Sequence, residues 1–367
     1  MKLDKKDRQR LSSCAVQLGK SERSASFLVC DHQQIHLAQY STGFTLLPIS
    51  LALKTIPSVR ERYYFKAVPS DYDQRVSLCS QEENPLGFYL HIEKNQKVQL
   101  PCQVAMYMKS DGLNQHVHNV VILEEGAELH LITSCLASKE VYTGTHIAIE
   151  EQYVHKGAHL MTTMVHSWSA AQYVYPYAAT IVEEDGSLES NYIALECAKQ
   201  IVSNPKAYLI GKRACAKFQT VIFAQSNAFV DTGGDVYLQG EDSSAELAHR
   251  GVSAGSIMHQ GGLLVGEARC KAHIDCAGMI LTEEKEGYIK SVPGLISKHP
   301  DARMSHEASI GKIAPDQVAY LMSKGMEERE AISLLVRGFL GVDSFNLGRE
   351  MDEKISQIIE LSGHGEA

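Results

Sequence analysis

The side chains best suited to chemistry in this chain are Cys276, His306 and Glu307. A thiolate and an imidazole are good ligands for iron, and a carboxylate beside them can complete coordination or hold an incoming ion. One cysteine with one glutamate leaves a closed iron–sulfur cluster short of protein ligands, so the rest would come from a second chain or from exogenous thiols. A second group is Gln115-His116-Val117-His118, followed by Glu124. Histidines two apart on an extended strand share a face and can bind zinc or iron. Both groups have a bland counterpart: Cys276 reads equally as a buried core thiol, and the histidines as solvent-facing side chains.

Other chemistries are poorly provided for. The His-x-His pair with Glu124 is similar to the metal-binding pattern of cupins, although the gap from His118 to Glu124 is one or two residues longer. Gly251-Val252-Ser253-Ala254-Gly255 has glycines but no following Gly-Lys-Ser/Thr, so it reads as a corner between strands and no ATP hydrolysis is expected of this chain. No G-x-S-x-G elbow marks a nucleophilic serine. Paired acids at Glu183-Glu184-Asp185 and Glu283-Glu284 sit in turn-like segments, and the single tryptophan gives no aromatic sugar groove. A net charge of −9, with no basic block beyond the first ten residues, excludes nucleic acid as the main partner. No apolar run approaches the length of a membrane span, and the N-terminus lacks the pattern of a secretory signal, so a cytoplasmic protein is expected. The nine cysteines are scattered without a Cys-x-x-Cys pair and read as thiols. Cys135, Cys197 and Cys215 read as core, with sulfur relay as the other role open to them.

The elements that must position these residues change character along the chain. Residues 1–100 are mixed: a polar start read as a short helix or tail, then a strand at Phe27-Leu28-Val29-Cys30. Residues 101–305 read as short strands without helical periodicity. Gly126-Ala127, Gly157-Ala158 and Gly186-Ser187 recur at a spacing of about thirty residues, which marks an internal repeat. A β-solenoid or a large β-sandwich fits, and the scarcity of hairpin turns, with Asp185-Gly186 the exception, favours a parallel β-helix. From Ala268 to Ile280 the run alternates, with Cys270, Ala272, Ile274 and Cys276 on one side. After Gly287 comes an irregular segment containing Pro293-Gly294 and His299-Pro300-Asp301. Helices then follow over Asp316–Lys324 and Glu327–Phe339, the second with an apolar stripe of Ala331, Leu334, Leu335 and Gly338, and a third amphipathic segment over Met351–Leu361. The reading is mainly β, with a small helical domain over 306–367.

At these residues the chain resembles the SufB/SufD family. The run Ser305-His306-Glu307-Ala308-Ser309-Ile310-Gly311-Lys312-Ile313, followed by Asp316 to Gly325, is similar to that family's C-terminal signature. Asp231-Thr232-Gly233, Gly251 to Gly255, Asp275-Cys276 and His118-Asn119-Val120-Val121-Ile122 match in order and spacing, over roughly residues 100–345. The resemblance implies an iron–sulfur cluster assembly scaffold of the SUF system built on a right-handed parallel β-helix, with a transient cluster of the four-iron four-sulfur kind. It implies dimerisation through the β-helix, as a homodimer or with a SufD-like paralogue, a SufC-type ABC ATPase on the helical domain, and a cysteine desulfurase or other sulfur donor. Carried over, Cys276 accepts sulfur or ligates the cluster, Glu307 ligates or delivers iron, and His306 supports. Asp316, Tyr320, Leu321, Leu335 and Phe339 fall in the ATPase-docking region. Glu307 after His306 places the chain with the SufB type, in a short form lacking the N-terminal cysteine cluster. The alternatives are a cupin-like metal enzyme using His116, His118 and Glu124, and a SufD-like subunit without its own cluster.

Overall fold

The structure, a computed structural model, describes residues 3–225, 227–281 and 287–341. Successive strands alternate between two sheets, so that each turn of chain lays one strand on each. One sheet stacks Cys102–Met108, Glu128–Ala137, His159–Ser167, Ser187–Glu196, Cys215–Ala224, Ser243–Ser253, Cys270–Ile280 and Ala302–Lys312, all in parallel. The other runs from Leu113–Leu123 through Gly144–Val154 and Gln172–Val182 to Ile257–Gly266 and Tyr288–Ser297. The result is a parallel β-solenoid of about 8 turns, mainly β as the alternation predicts, with 52% strand and 15% helix.

The turns are held in stack by a corner repeated from one to the next. Asn95, Gly126, Gly157, Asp185, Arg213 and Asp242 all take positive φ, between 56° and 69°. Each donates its backbone N–H to a carbonyl one turn further on: Glu125, Lys156, Glu184, Lys212, Glu241 and Arg269, at 2.8–3.0 Å. Asp185-Gly186, the hairpin signal of the sequence, is therefore one of these corners. Its left-handed residue is the aspartate, and the chain continues into the opposite sheet.

The N-terminal region closes one end. Ala25–Cys30 pairs in parallel with Cys102–Met108, and Phe88–Ile92 with Leu113–Leu123. Gln33–Gln39 and Phe44–Pro48 then cover the two edges in antiparallel fashion. The helix Lys5–Ser12 is tied to the solenoid by the buried Arg10 guanidinium, which donates to the Ala137 and Ser167 carbonyls and pairs with Glu196 at 2.8 Å. The segment 65–68 is fastened to the outer face by Glu151, whose buried carboxylate accepts from the backbone N–H groups of Phe65, Lys66, Ala67 and Val68 at 2.6–3.0 Å.

The far end corrects the sequence reading. Residues 288–312, read as irregular, form the strands Tyr288–Ser297 and Ala302–Lys312. Pro293 is tolerated because Tyr288–Ser297 pairs with one neighbour, Ile257–Gly266, and needs no donor on its other side. Pro300 lies in the turn between the two strands. Helices Pro315–Ser323 and Glu328–Leu340 follow, as expected. The buried stripe of the second keeps Ala331 of the expected set but is rotated from the rest of it: Ile332, Val336, Phe339 and Leu340 pack on Val165, Ile193, Leu195, Val221 and Phe223 of the outer sheet face, while Leu334 and Gly338 are exposed. Met351–Leu361 and Glu283-Glu284 lie outside the described residues. Among the described residues no helix is long and apolar enough to cross a membrane.

The corners leave no room for side chains where turns stack most closely. A Cβ on Gly211 would sit 1.9 Å from the Glu184 nitrogen, whereas one on Gly338, in the second C-terminal helix, meets nothing within 4 Å. Gly211→Ala should lower the denaturation midpoint through a clash costing about 1–3 kcal/mol or more. Gly338→Ala should raise it by up to about 1 kcal/mol. Chemical denaturation of both variants checks the pair.

Candidate metal centre at the last turn

Parallel pairing stacks side chains of like parity on one face, and this arranges the last three rungs of the first sheet. His249, Cys276 and Ala308 are register partners in successive strands, and Ile274 pairs with His306. This column faces the interior: Cys276 and Ile274 are fully buried in the main core, and His249 is 1% exposed. On the opposite face Asp275 pairs with Glu307, and the Arg250 guanidinium bonds to Asp275. The terminal strand is exposed from Ser305 to Lys312, so His306 and Glu307 are both open to solvent.

The sequence-predicted trio is thus brought onto adjacent strands but divided between faces. Cys276 and His306 share the inner face, one rung apart and two residues out of step, a diagonal of about 7–8 Å. Glu307 stands on the outer face beside Asp275. Burial pushes the Cys276 thiol up to about 11, with the Asp275 charge adding to the shift and Arg250 opposing it, so the thiol is protonated at neutral pH. The core and ligand readings of Cys276 are both accommodated: it is core by packing, yet it lies one rung beneath the last of the described strands.

His249 is a residue the sequence pattern does not single out. It lies on the inward parity of Ser243–Ser253, between Leu247 and Gly251, and neither ring nitrogen has a hydrogen-bond partner. Burial, reinforced by the neighbouring Arg250 cation, pushes its pKa down to about 4. The periodic signal was available, but its meaning comes only from the register with Cys276.

The second candidate group is not brought together. His118 points outward, fully buried between Tyr64 and Phe65, and shares a 2.7 Å hydrogen bond with Glu151. His116 reaches Glu82 at 3.2 Å and Glu124 reaches His91 at 2.9 Å. Three side chains with three separate partners make no common site. Among the described residues no group of three or more His, Cys, Asp or Glu side chains could hold a metal ion. No disulfide joins any of the nine cysteines, and Cys135 and Cys197 are buried.

The residues that the sequence assigns to docking lie on the two C-terminal helices. Asp316 and Tyr320 are exposed, Leu321 and Leu335 half-buried, and Phe339 packs beneath the helix onto the solenoid. Tyr320, Met322 and Leu334 are 61%, 44% and 48% exposed, a set of large apolar side chains on a two-helix unit.

The solenoid interior also holds a polar middle section. Gln115, His146, His166, Trp168 and Tyr192 are packed together, with His146 Nδ1 bonded to Gln115 and His166 Nδ1 to Tyr192 at 3.0 and 2.9 Å. Beside them Glu150, pushed up by burial, lines a cavity of about 60 Å³ with Thr133, Thr162 and Thr180.

A parallel solenoid with an open terminal rung and a helical pair beyond it defines a class of repeat scaffold. Residues 106–339 match the family model described as "SUF system FeS cluster assembly, SufBD core domain". An iron–sulfur cluster assembly SufBD family protein of Archaeoglobus fulgidus is 36% identical over 357 residues, which is 97% of this chain and 95% of that protein. One from Methanothermobacter thermautotrophicus strain Delta H is 32% identical over 366 residues, 98% of this chain and 88% of its own. One from Pyrococcus horikoshii is 28% identical over 325 residues, covering 88% and 72% respectively. The chain belongs to the SufBD family.

Burial pushes the His146 and His166 pKa values down to about 3, so both stay neutral in the fold. Unfolded, they take up protons near pH 6.5, so between about 6.5 and 3 the unfolded state binds more protons and stability rises with pH. Stability contributed by these imidazoles is complete above that window and lost as pH falls through it. Unfolding free energy measured from pH 7 to pH 4 should decline, and the decline should be shallower in the His146→Gln, His166→Gln double variant.

Proposed function

We propose that this chain is a SufB-type scaffold on which iron–sulfur clusters are assembled. It does no bond-breaking chemistry of its own and works as a homodimer with a SufC-type ABC ATPase. The observation that carries the reading is Cys276 fixed one rung beneath an open terminal strand, with His306 on the same face of that strand. Family membership supports cluster assembly as the setting. The cluster is cargo, held transiently. Cys276 takes up sulfur or ligates the nascent cluster, His306 supports it from the next rung, and Glu307 on the outer face receives incoming iron at the rim.

Dimerisation is supported by two strand edges that no other described strand pairs with. Tyr288–Ser297 and Ala302–Lys312 each end a sheet, and Val292, Ile296 and Ile310 are 55%, 44% and 44% exposed. Long apolar edges of this kind invite pairing with another chain. A second copy would complete both sheets and bring further ligands over Cys276. A SufD-like partner would do the same. Sulfur would arrive from a cysteine desulfurase or equivalent donor.

Anaerobic reconstitution with ferrous iron and sulfide tests the site. Cluster absorbance should fall at least tenfold in Cys276→Ser and fall in Glu307→Ala; unchanged absorbance in both would sink the assignment. The docking surface has its own test. Binding of a purified SufC-type ATPase, followed by calorimetry, should weaken at least tenfold in Tyr320→Asp and Leu334→Asp, since truncating or charging an exposed apolar anchor costs more than about 1 kcal/mol. Retained affinity in both variants would refute docking there.

A further inference from the structure

We propose that His249 is the second protein ligand of the metal held by Cys276, so that the two form an inward-facing clamp for a divalent ion such as ferrous iron. The inference rests on the reading of Cys276 as a ligand and adds a residue contributed by the preceding turn. His249 and Cys276 are register partners on adjacent parallel strands, both facing the interior and both essentially excluded from solvent. Adjacent strands stand about 4.8 Å apart. A tetrahedral metal with a sulfur at about 2.3 Å and a nitrogen at about 2.0 Å sets those two atoms about 3.5 Å apart. Side chains one rung apart on the same face span that distance.

The imidazole itself points to a missing occupant. Buried ring nitrogens normally find a hydrogen-bond partner, and leaving them without one costs about 1–3 kcal/mol. Both nitrogens of His249 have none. The surrounding column is apolar, with Leu247 and Ile274 fully buried, so packing alone would be better served by leucine at this position. The next position outward is Ala308, whose methyl group leaves the thinnest cover over Cys276 that a side chain can give. On binding, the Cys276 thiol gives its proton to solvent and the thiolate and the neutral imidazole each donate a lone pair; no oxidant or reductant is needed. Two protein ligands leave open positions, which sulfide or a ligand from a second copy would fill.

Cobalt(II), added anaerobically to the apo protein, is the probe. The wild-type chain should develop thiolate-to-cobalt charge-transfer absorption, and Cys276→Ser should abolish it. His249→Leu should weaken cobalt affinity at least tenfold while the apo variant melts at the same or a higher temperature, because an unsatisfied imidazole has been replaced by an apolar group of similar volume. Unchanged affinity and spectrum in His249→Leu would overturn the proposal. Should that variant not fold, pulsed EPR of the cobalt form in a His306→Ala background decides: coupling to an imidazole nitrogen supports the clamp, and its absence refutes it. Cluster reconstitution that depends on Cys276 but ignores His249 would leave the scaffold reading standing and remove only the clamp. Cobalt binding through both residues without cluster formation would do the reverse.

Discussion

Everything in this molecule depends on a left-handed corner that repeats from turn to turn. A solenoid needs its chain to change direction at the same place in every turn, and positive φ does this within one residue. Glycine adopts that conformation freely, but Asn95, Asp185, Arg213 and Asp242 do so against a cost of about 1–2 kcal/mol each. Two things offset it. Each corner N–H gains a hydrogen bond to the next turn, and the exposed side chains pair along the stack, Arg213 with Asp185 and Arg269 with Asp242. Exposed ion pairs contribute little singly. Their role here is to favour one register, because a slip of one residue would turn the interior column outward.

The same stacking creates the end where the candidate site lies. A solenoid has two terminal rungs, and each must be covered or used. At the N-terminal end two antiparallel strands and a helix do the covering, with Arg10 and Glu151 as buried anchors. At the other end, among the described residues, no further strand pairs with the two terminal strands, and the helical pair is held to one side by Val336, Phe339 and Leu340. A helix docked on the flank leaves the edge free. The strand edges and the flanking helices are therefore separate surfaces, and Cys276 lies beneath the first.

How far this was legible in the sequence varies with the range of the determining interaction. The alternation from Ala268 to Ile280 is a local signal, and it put Cys276 inward correctly. The glycine pairs revealed the repeat because two successive corners use glycine, Gly126 and Gly157, and the third sets Gly186 directly after its left-handed Asp185. Strands at 288–312 were hidden by Pro293, a residue that only an edge strand tolerates, and edge position is a property of the finished sheet. Glu307 looked like a neighbour of Cys276 because both carry metal-binding chemistry. Strand parity, set by the pairing of Asp275 with Glu307, separates them. His249 was invisible for the opposite reason: its partner lies a full turn away, and nothing nearby in the chain marks it.

The buried thiol gives the site a particular thermodynamic character. A group whose pKa is raised to about 11 is neutral in the empty protein, and neutrality lets Cys276 sit at full burial without an unpaired charge. Binding a cation reverses the balance, because the thiolate then neutralises metal charge in the same low-dielectric column. Were Cys276 to take the proposed ligand role, metal uptake would be coupled to release of one proton per thiol and would strengthen as pH rises until the thiol ionises without help. Release follows from the same coupling. Any movement that lets water reach the terminal rung stabilises the separated ion and the reprotonated thiol together, and the lightly covered column beneath Ala308 is where water would enter. On the proposed role, the terminal rung that would admit the metal is thus also where it would leave.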